Sequence, residues 1–174
     1  FNSTVDFDPS SATTNLTSAG YGDVFLAKYN SSGNYVWAKT IGGIGDDKGK
    51  SLSLDASGNM VLMGSFNGTV DFDPGAGTAN RTSALSYSID LFLSKYDASG
   101  NYVWANAIGG SDYISLDGKS IALDGSGNVV VTGYFMGIVD FDPSSATANL
   151  TSATSSSWFS PYCNDLFLAK YDAS

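Results

Sequence analysis

The chain has 174 residues, of which 8 are basic and 17 acidic, so its net charge is −9. A surface of that sign repels nucleic acid and anionic membranes, and neither is expected as a partner. Histidine is absent, which excludes the commonest general base and the Ser-His and Cys-His nucleophile pairs. No apolar run approaches the ~18 residues that cross a bilayer, so membrane insertion is not expected. Composition therefore predicts a protein that is not an enzyme and requires no cofactor.

The first element along the chain is an arm, Val-Asp-Phe-Asp-Pro at Val5–Pro9, which returns at Val70–Pro74 and Val139–Pro143. Three further motifs return in the same order: Phe25–Tyr29 (again at 92–96 and 167–171), Asn34–Ala38 (again at 101–105) and Gly-Lys-Ser at 49 and 118. The period is about 65 to 75 residues, with the spread caused by loop insertions, so the chain holds about two and a half units.

Each unit contains two predicted hairpins. In the second unit, Gly49–Asp55 alternates polar and apolar residues, an Ala-Ser-Gly turn follows, and Asn59–Phe66 is an apolar run. Asp90–Asp97 and Asn101–Ile108 repeat that arrangement. Asp, Gly and Asn in these turns are turn formers rather than ligands. Two successive hairpins give a four-stranded antiparallel sheet, the unit of a β-propeller blade.

Four motifs in a fixed order resemble a known repeat family: Gly-Lys-Ser-(x)-Ala/Ser-Leu-Asp, Ser-Gly-Asn-Val-Val-Val-Thr-Gly, Asp-Leu-Phe-Leu-Ala-Lys-Tyr-Asp and Ser-Gly-Asn-Tyr-Val-Trp-Ala. They are similar to the SBBP-type repeats of secreted bacterial and archaeal proteins, which are named for a seven-bladed β-propeller. The resemblance covers nearly the whole chain and departs from the family pattern through the inserted arm. It implies a fold and secretion, and it implies no reaction.

The expected fold is thus all-β, made of tandem four-stranded antiparallel blades. Residues 1–48 would be a partial repeat, 49–117 a complete repeat, and 118–174 a partial repeat without its fourth strand. Because the chain begins without Met and ends within a repeated motif, we expect it to be part of a longer array.

Acidic residues recur at equivalent positions. The two Asp residues of each arm are two apart, so on an extended strand they lie on one face, roughly 7 Å apart between Cα atoms. A further Asp opens the third strand of each unit, and three carboxylates with backbone carbonyls could supply the about six to eight oxygen ligands that Ca²⁺ prefers. The candidate Ca²⁺ ligands are Asp6, Asp8, Asp23, Asp71, Asp73, Asp90, Asp140, Asp142 and Asp165.

Two other interpretations of these carboxylates are open. The second Asp of each arm could bond the turn after Asp-Pro while the first is solvated. Paired carboxylates also hydrolyse glycosides, but repetition in three equivalent places is typical of architecture rather than of an active site.

N-glycosylation sequons occur at Asn2, Asn15, Asn30, Asn67, Asn80 and Asn149. Several are repeat equivalents, so they are not independent signals. In an archaeal or eukaryotic secreted protein some would carry glycan on arms and loops, and in a bacterium they would carry no meaning.

The third unit contains an insertion of its own, Ser155–Asn164. Its candidate interface residues are Trp158, Phe159, Tyr162 and Cys163, because an aromatic cluster on a long loop is typical of a contact surface. Alternatively this loop folds back over a sheet edge. For Cys163, the single cysteine, two roles are open: a cross-link to a partner, or a small buried hydrophobic residue.

The sequence favours a non-enzymatic extracellular or cell-surface protein with a structural or adhesive role. Open sheet edges favour self-association into a filament or layer. A ligand-binding propeller for glycan or protein, with or without Ca²⁺, is the alternative, and a glycoside-active enzyme is the third hypothesis.

Overall fold

A computed structural model describes residues 1–85, 88–110, 115–153 and 163–173. Within those ranges the chain is all-β and contains no helix, as predicted, and hence none that could cross a membrane. The strands are β1 (Thr4–Asp6), β2 (Asn15–Thr17), β3 (Val24–Tyr29), β4 (Tyr35–Gly43), β5 (Lys48–Leu54), β6 (Met60–Phe66), β7 (Thr69–Asp71), β8 (Asn80–Thr82), β9 (Asp90–Tyr96), β10 (Tyr102–Ile108), β11 (Ser115–Leu123), β12 (Val129–Met136), β13 (Ile138–Asp140), β14 (Asn149–Thr151) and β15 (Asp165–Tyr171).

The second repeat forms the predicted four-stranded antiparallel sheet, in the order β5-β6-β9-β10. Its two hairpins coincide with the two predicted from the turn residues. The third repeat contributes the three-stranded sheet β11-β12-β15, and β3 pairs with β4 in the first. The boundaries proposed for the three repeats stay a prediction.

The inserted arm is a small hairpin of its own, seen as β1-β2, β7-β8 and β13-β14. It lies between the second and third strands of the repeat, as predicted. The arm of the second repeat also pairs with the first repeat. Its strand β7 is antiparallel to the end of β4, with the pairs Gly42↔Asp71 and Gly43↔Val70. Gly109 and Asp140 form the equivalent bridge one repeat later. Each of these arms therefore joins two neighbouring repeats through backbone hydrogen bonds.

Three phenylalanines anchor the arm to its own sheet. In the second repeat the ring centroid of Phe66 lies 5.7 Å from that of Phe72 and 6.4 Å from that of Phe92, and Phe72 and Phe92 are 5.0 Å apart. All three side chains are fully buried. The same contacts recur in the other repeats, in the groups Phe1, Phe7, Phe25 and Phe135, Phe141, Phe167. Burial and edge-to-face geometry both stabilise such a cluster.

The main cores lie between repeats. One apolar cluster joins Leu91 and Leu93 of the second repeat to Ile121, Val129 and other residues of the third. The sheets approach closely at one point, where a Cβ on Gly118 would lie 2.6 Å from the Leu91 side chain. The apolar or aromatic residues on both faces of Val24–Tyr29 and Val129–Thr132 predict sheets packed between neighbours. In β3 one face is buried, whereas Phe25 and Tyr29 are exposed. The strands buried on both faces are β6 and β9.

Candidate functional site

The first Asp of each arm closes the arm loop. The Asp71 carboxylate accepts the backbone N–H groups of Asp73, at 3.0 Å, and Ala79, at 2.8 Å. Asp6 and Asp140 accept the equivalent pairs at the same distances. The N–H groups of Thr14 and Asp8 hold the pKa of the Asp6 carboxyl below its ordinary value. The expectation that the first Asp is merely solvated is therefore wrong.

The second Asp of each arm bonds the turn after the proline. Asp8, Asp73 and Asp142 accept the N–H of Ser10, Gly75 and Ser144 at 2.9, 2.8 and 2.8 Å respectively. This agrees with the interpretation of that residue as turn chemistry.

The Asp that opens the third strand closes a different loop. Asp90 is almost fully buried and accepts the Ala84 N–H at 2.7 Å and the Ser88 hydroxyl at 2.9 Å. Burial raises the pKa of this carboxyl, against the opposing effect of those donors. Asp23 and Asp165 accept the N–H of Ala19 and Ala153 in the same way.

The nine candidate Ca²⁺ ligands are thus held apart by the separate loops that they stabilise. Among the described residues, no group of three or more His, Cys, Asp or Glu side chains could hold a metal ion. The structure does not bring the three carboxylates of a unit together, and Ca²⁺ binding by them stays a prediction.

The six sequons differ in their surroundings. Asn2, Asn15, Asn30, Asn80 and Asn149 are exposed. Asn67 is half-buried, and its side-chain amide donates a hydrogen bond to the Ser88 carbonyl at 2.7 Å. Attachment of glycan at Asn67 would have to break that bond. Among the five exposed residues, the side-chain oxygen of Asn30 accepts the N–H groups of Ser32 and Asn34 at 2.9 and 3.0 Å.

The predicted interface loop falls mostly outside the described residues, which do not include Trp158, Phe159 and Tyr162. Cys163 is exposed and free, and its backbone N–H donates to the Ala153 carbonyl at 2.8 Å. The alternative of a buried Cys163 is therefore wrong.

Sequence reasoning missed a buried carboxylate at Asp47. Its two oxygens accept the N–H of Gly43 at 2.9 Å and of Asn67 at 3.3 Å, which ties the end of β4 to the start of the next arm. Burial raises the pKa of this carboxyl to about 6, and the nearby charges of Asp23 and Asp46 act in the same direction. No repeated motif marks Asp47, because the register places Leu116 at its position in the third repeat.

An exposed apolar pair was also missed. Tyr21 and Ile44 are 84% and 81% exposed, on two loops that the Tyr21 N–H joins by donating to the Gly45 carbonyl at 3.2 Å. This backbone hydrogen bond brings the two loops that carry the exposed residues next to each other, and neighbouring exposed apolar residues are candidates for a contact surface.

Several open grooves lie beside the sheets, and we describe two of them. One, of about 440 Å³, is lined by residues that include Phe1, Asp23, Leu52 and Leu62. The other, of about 490 Å³, lies beside β15.

Comparison with known proteins identifies no matching family model. The chain is similar to an uncharacterized WD repeat-containing protein of Acanthamoeba polyphaga mimivirus, with 27% identity over 135 residues, or 71% of this chain and 9% of that protein. It is also similar to the regulatory protein FlaEY of Caulobacter vibrioides, with 31% identity over 114 residues, or 66% of this chain and 11% of that protein. The chain spans about a tenth of the length of these curated relatives. Together with the sheets, these similarities indicate a β-rich repeat protein.

Proposed function

We propose that this chain is a non-enzymatic scaffold of SBBP-type β-propeller blades that acts outside the cell or at its surface, where it has a structural or adhesive role and self-associates. The observation that supports this proposal is the use of the repeated carboxylates. Asp71 and Asp90, with their equivalents, bind backbone N–H groups of their own loops. A polar group that closes a loop in equivalent places is part of the architecture, whereas catalysis needs groups directed at a substrate.

Two further observations support the propeller part of the proposal. Sheets of the second and third repeats pack face to face through a shared apolar cluster, as successive blades do. One relative is named as a WD repeat-containing protein, and WD repeats form propellers. The extracellular location is supported by the resemblance to secreted repeats alone.

Electron microscopy of the purified protein, with and without a calcium chelator, tests the scaffold proposal. Regular fibres or layers are the expected result, and their loss on chelation would place Ca²⁺ in the assembly. Monodisperse single particles at every concentration, with a melting temperature insensitive to chelator, would contradict both self-association and calcium binding.

A second candidate function is ligand binding, and the exposed pair Tyr21 and Ile44 favours it. Aromatic side chains on loops contribute strongly to protein and glycan contacts. A monomeric protein that binds a glycan or protein, and loses that binding in the Tyr21→Ala variant, would support this candidate over the scaffold.

A further inference from the structure

The turn between β6 and β7 contains the pair Asn67-Gly68, and no other asparagine of the chain precedes a glycine. Gly68 has a φ of 75°, in the left-handed region that favours glycine. Its equivalents in the other two arms are Gly137, with a φ of 92°, and Ser3, with a φ of 60°. The turn therefore has a positive φ in all three arms, but only the second arm combines a glycine there with a preceding asparagine.

Asn67 contacts three loops of the fold. Its side-chain amide donates to the Ser88 carbonyl at 2.7 Å, in the loop after β8. Its backbone N–H donates to the Asp47 carboxylate at 3.3 Å, in the loop that leads from the first repeat into the second. A Cβ on Gly45, in that same loop, would collide with the Asn67 carbonyl. Asn67 thus lies at a tightly packed joint between the first two repeats.

The backbone nitrogen of Gly68 is held by the loop after β8 as well. Its N–H donates to the Ser83 hydroxyl oxygen at 3.0 Å, and that hydroxyl donates to the Leu85 carbonyl at 2.9 Å. The Ser83 N–H in turn donates to the Gly68 carbonyl at 2.8 Å. In the folded state this loop therefore binds both the Gly68 nitrogen, which could attack the Asn67 amide, and the amide nitrogen, which would leave.

We propose that Asn67 is a site of spontaneous deamidation, which proceeds when these hydrogen bonds open. The Gly68 nitrogen loses its proton to the solvent and bonds to Cγ of Asn67, which closes a five-membered succinimide ring. The Cγ–Nδ2 bond breaks, and the leaving nitrogen takes up a proton and departs as ammonia. Glycine favours this closure because it has no side chain to obstruct the ring. Water then opens the ring at either carbonyl carbon and yields aspartate or isoaspartate, without oxidation or reduction.

Either product weakens the joint between the first two repeats. Aspartate at position 67 has no donor for the Ser88 carbonyl, and it adds a negative charge near the Asp47 carboxylate. A carbonyl without its donor and a second like charge are both destabilising. Isoaspartate also lengthens the backbone just before β7, which pairs with the end of β4 at Gly43↔Val70. Deamidation is thus an irreversible switch that loosens the arm of the second repeat from the first repeat, and it requires no partner.

Ageing of the whole chain at mildly alkaline pH, in native buffer and in urea, followed by peptide mapping with mass spectrometry, tests the site. In urea Asn67 should deamidate faster than every other asparagine. In native buffer its rate should be at least about tenfold lower, because only the open fraction of the folded protein reacts. A rate in urea no higher than that of Asn2, or no conversion of Asn67 in native buffer, would overturn the site. Equal rates in the two solutions would overturn the control by the folded turn.

The matched variant for the reaction is Gly68→Ser, which gives the second arm the Asn-Ser pair of the first. Ser3 adopts a similar positive φ, and a Cβ on Gly68 meets no atom within 4 Å, so the variant should fold. It should deamidate at position 67 several-fold more slowly in urea, and an unchanged rate would contradict ring closure through the Gly68 nitrogen.

The variant Asn67→Asp reproduces one product and tests the effect on the joint. It should unfold at a lower urea concentration than the wild type, because the Ser88 carbonyl loses its donor. The control is Asn2→Asp, at the equivalent and exposed position of the first arm, and its unfolding midpoint should be almost unchanged. An equal midpoint for Asn67→Asp and the wild type would overturn the switch.

Discussion

Asp47 is a buried carboxylate that the repeat does not require. It is 3% exposed, and the residue at the equivalent position of the third repeat, Leu116, is 4% exposed. Both positions face the interior, yet Asp47 uses its oxygens to hold the Gly43 and Asn67 N–H groups. Burial disfavours the charged carboxylate and raises its pKa to about 6, with Asp23 and Asp46 adding to the effect.

The raised pKa of Asp47 predicts a stability that depends on pH. Since the folded-state pKa of about 6 lies above the ordinary value of 3.8 for an aspartate, the folded state binds the proton more tightly than the unfolded chain does. The stabilising contribution is therefore fully present at low pH and is lost as pH rises through 6. From pH 5 to pH 7.5 the free energy of unfolding should fall by about 1 kcal/mol from this group.

Urea unfolding of the wild type and of Asp47→Asn at pH 5 and pH 7.5 measures this effect. The variant should lose part of the pH dependence, while Asp90, whose pKa is also raised by burial, should retain its own contribution. If the free energy of unfolding of the variant falls between pH 5 and pH 7.5 as much as that of the wild type, the pH dependence does not come from Asp47.

The inserted arm is the element by which these repeats differ from the SBBP-type pattern that they resemble. A tyrosine at the end of each third strand holds it, because the hydroxyl groups of Tyr96, Tyr171 and Tyr29 donate to the carbonyls of Phe72, Phe141 and Phe7 at 3.0, 3.0 and 2.9 Å. These three bonds are chemically identical and differ in burial. Tyr96 is fully buried, Tyr171 is half-buried and Tyr29 is 41% exposed.

The burial of these tyrosines predicts a graded series. Tyr96→Phe should lower the free energy of unfolding by about 1 to 2 kcal/mol, because it leaves a carbonyl of the core without its donor. Tyr29→Phe should cost less than about 0.5 kcal/mol, since water can replace the hydroxyl at an exposed site. Tyr171→Phe should lie between them. Equal losses in all three variants, measured by urea unfolding, would show that burial does not control the strength of the arm contact.

The sequence predicted the elements well and their mutual contacts poorly. Turn residues and alternation located both hairpins of the second repeat, because these signals are local. The pairing of β7 with β4 was not predicted, since Gly42 and Asp71 are 29 positions apart in the sequence and no local signal marks their contact. For the same reason the spacing could not show which contacts the repeated carboxylates make. Spacing showed that Asp71 and Asp73 recur, but only the folded arm shows that each accepts backbone N–H groups instead of meeting Asp90.

The free energy of unfolding of the whole chain depends on the packing between its repeats. The same leucine position of the third strand is 5% exposed at Leu26, 1% exposed at Leu93 and 76% exposed at Leu168. The first two are covered by the following repeat, as the two apolar clusters show. In a repeat array the free energy of folding is approximately a sum of intrinsic and neighbour contributions, so these equivalent side chains isolate the neighbour contribution.

Leu93→Ala should lower the free energy of unfolding by about 2 to 4 kcal/mol, because it opens a cavity between the second and third repeats. Leu168→Ala removes the same atoms from an exposed position, and in dilute solution it should change stability by less than about 0.5 kcal/mol. Urea unfolding at two protein concentrations tells an exposed Leu168 from one that is buried between copies of the chain. If Leu168→Ala lowers the free energy of unfolding only in concentrated solution, this side chain is buried between copies, as self-association requires. If it lowers the free energy of unfolding as much as Leu93→Ala does at every concentration, the 76% exposure of Leu168 is wrong.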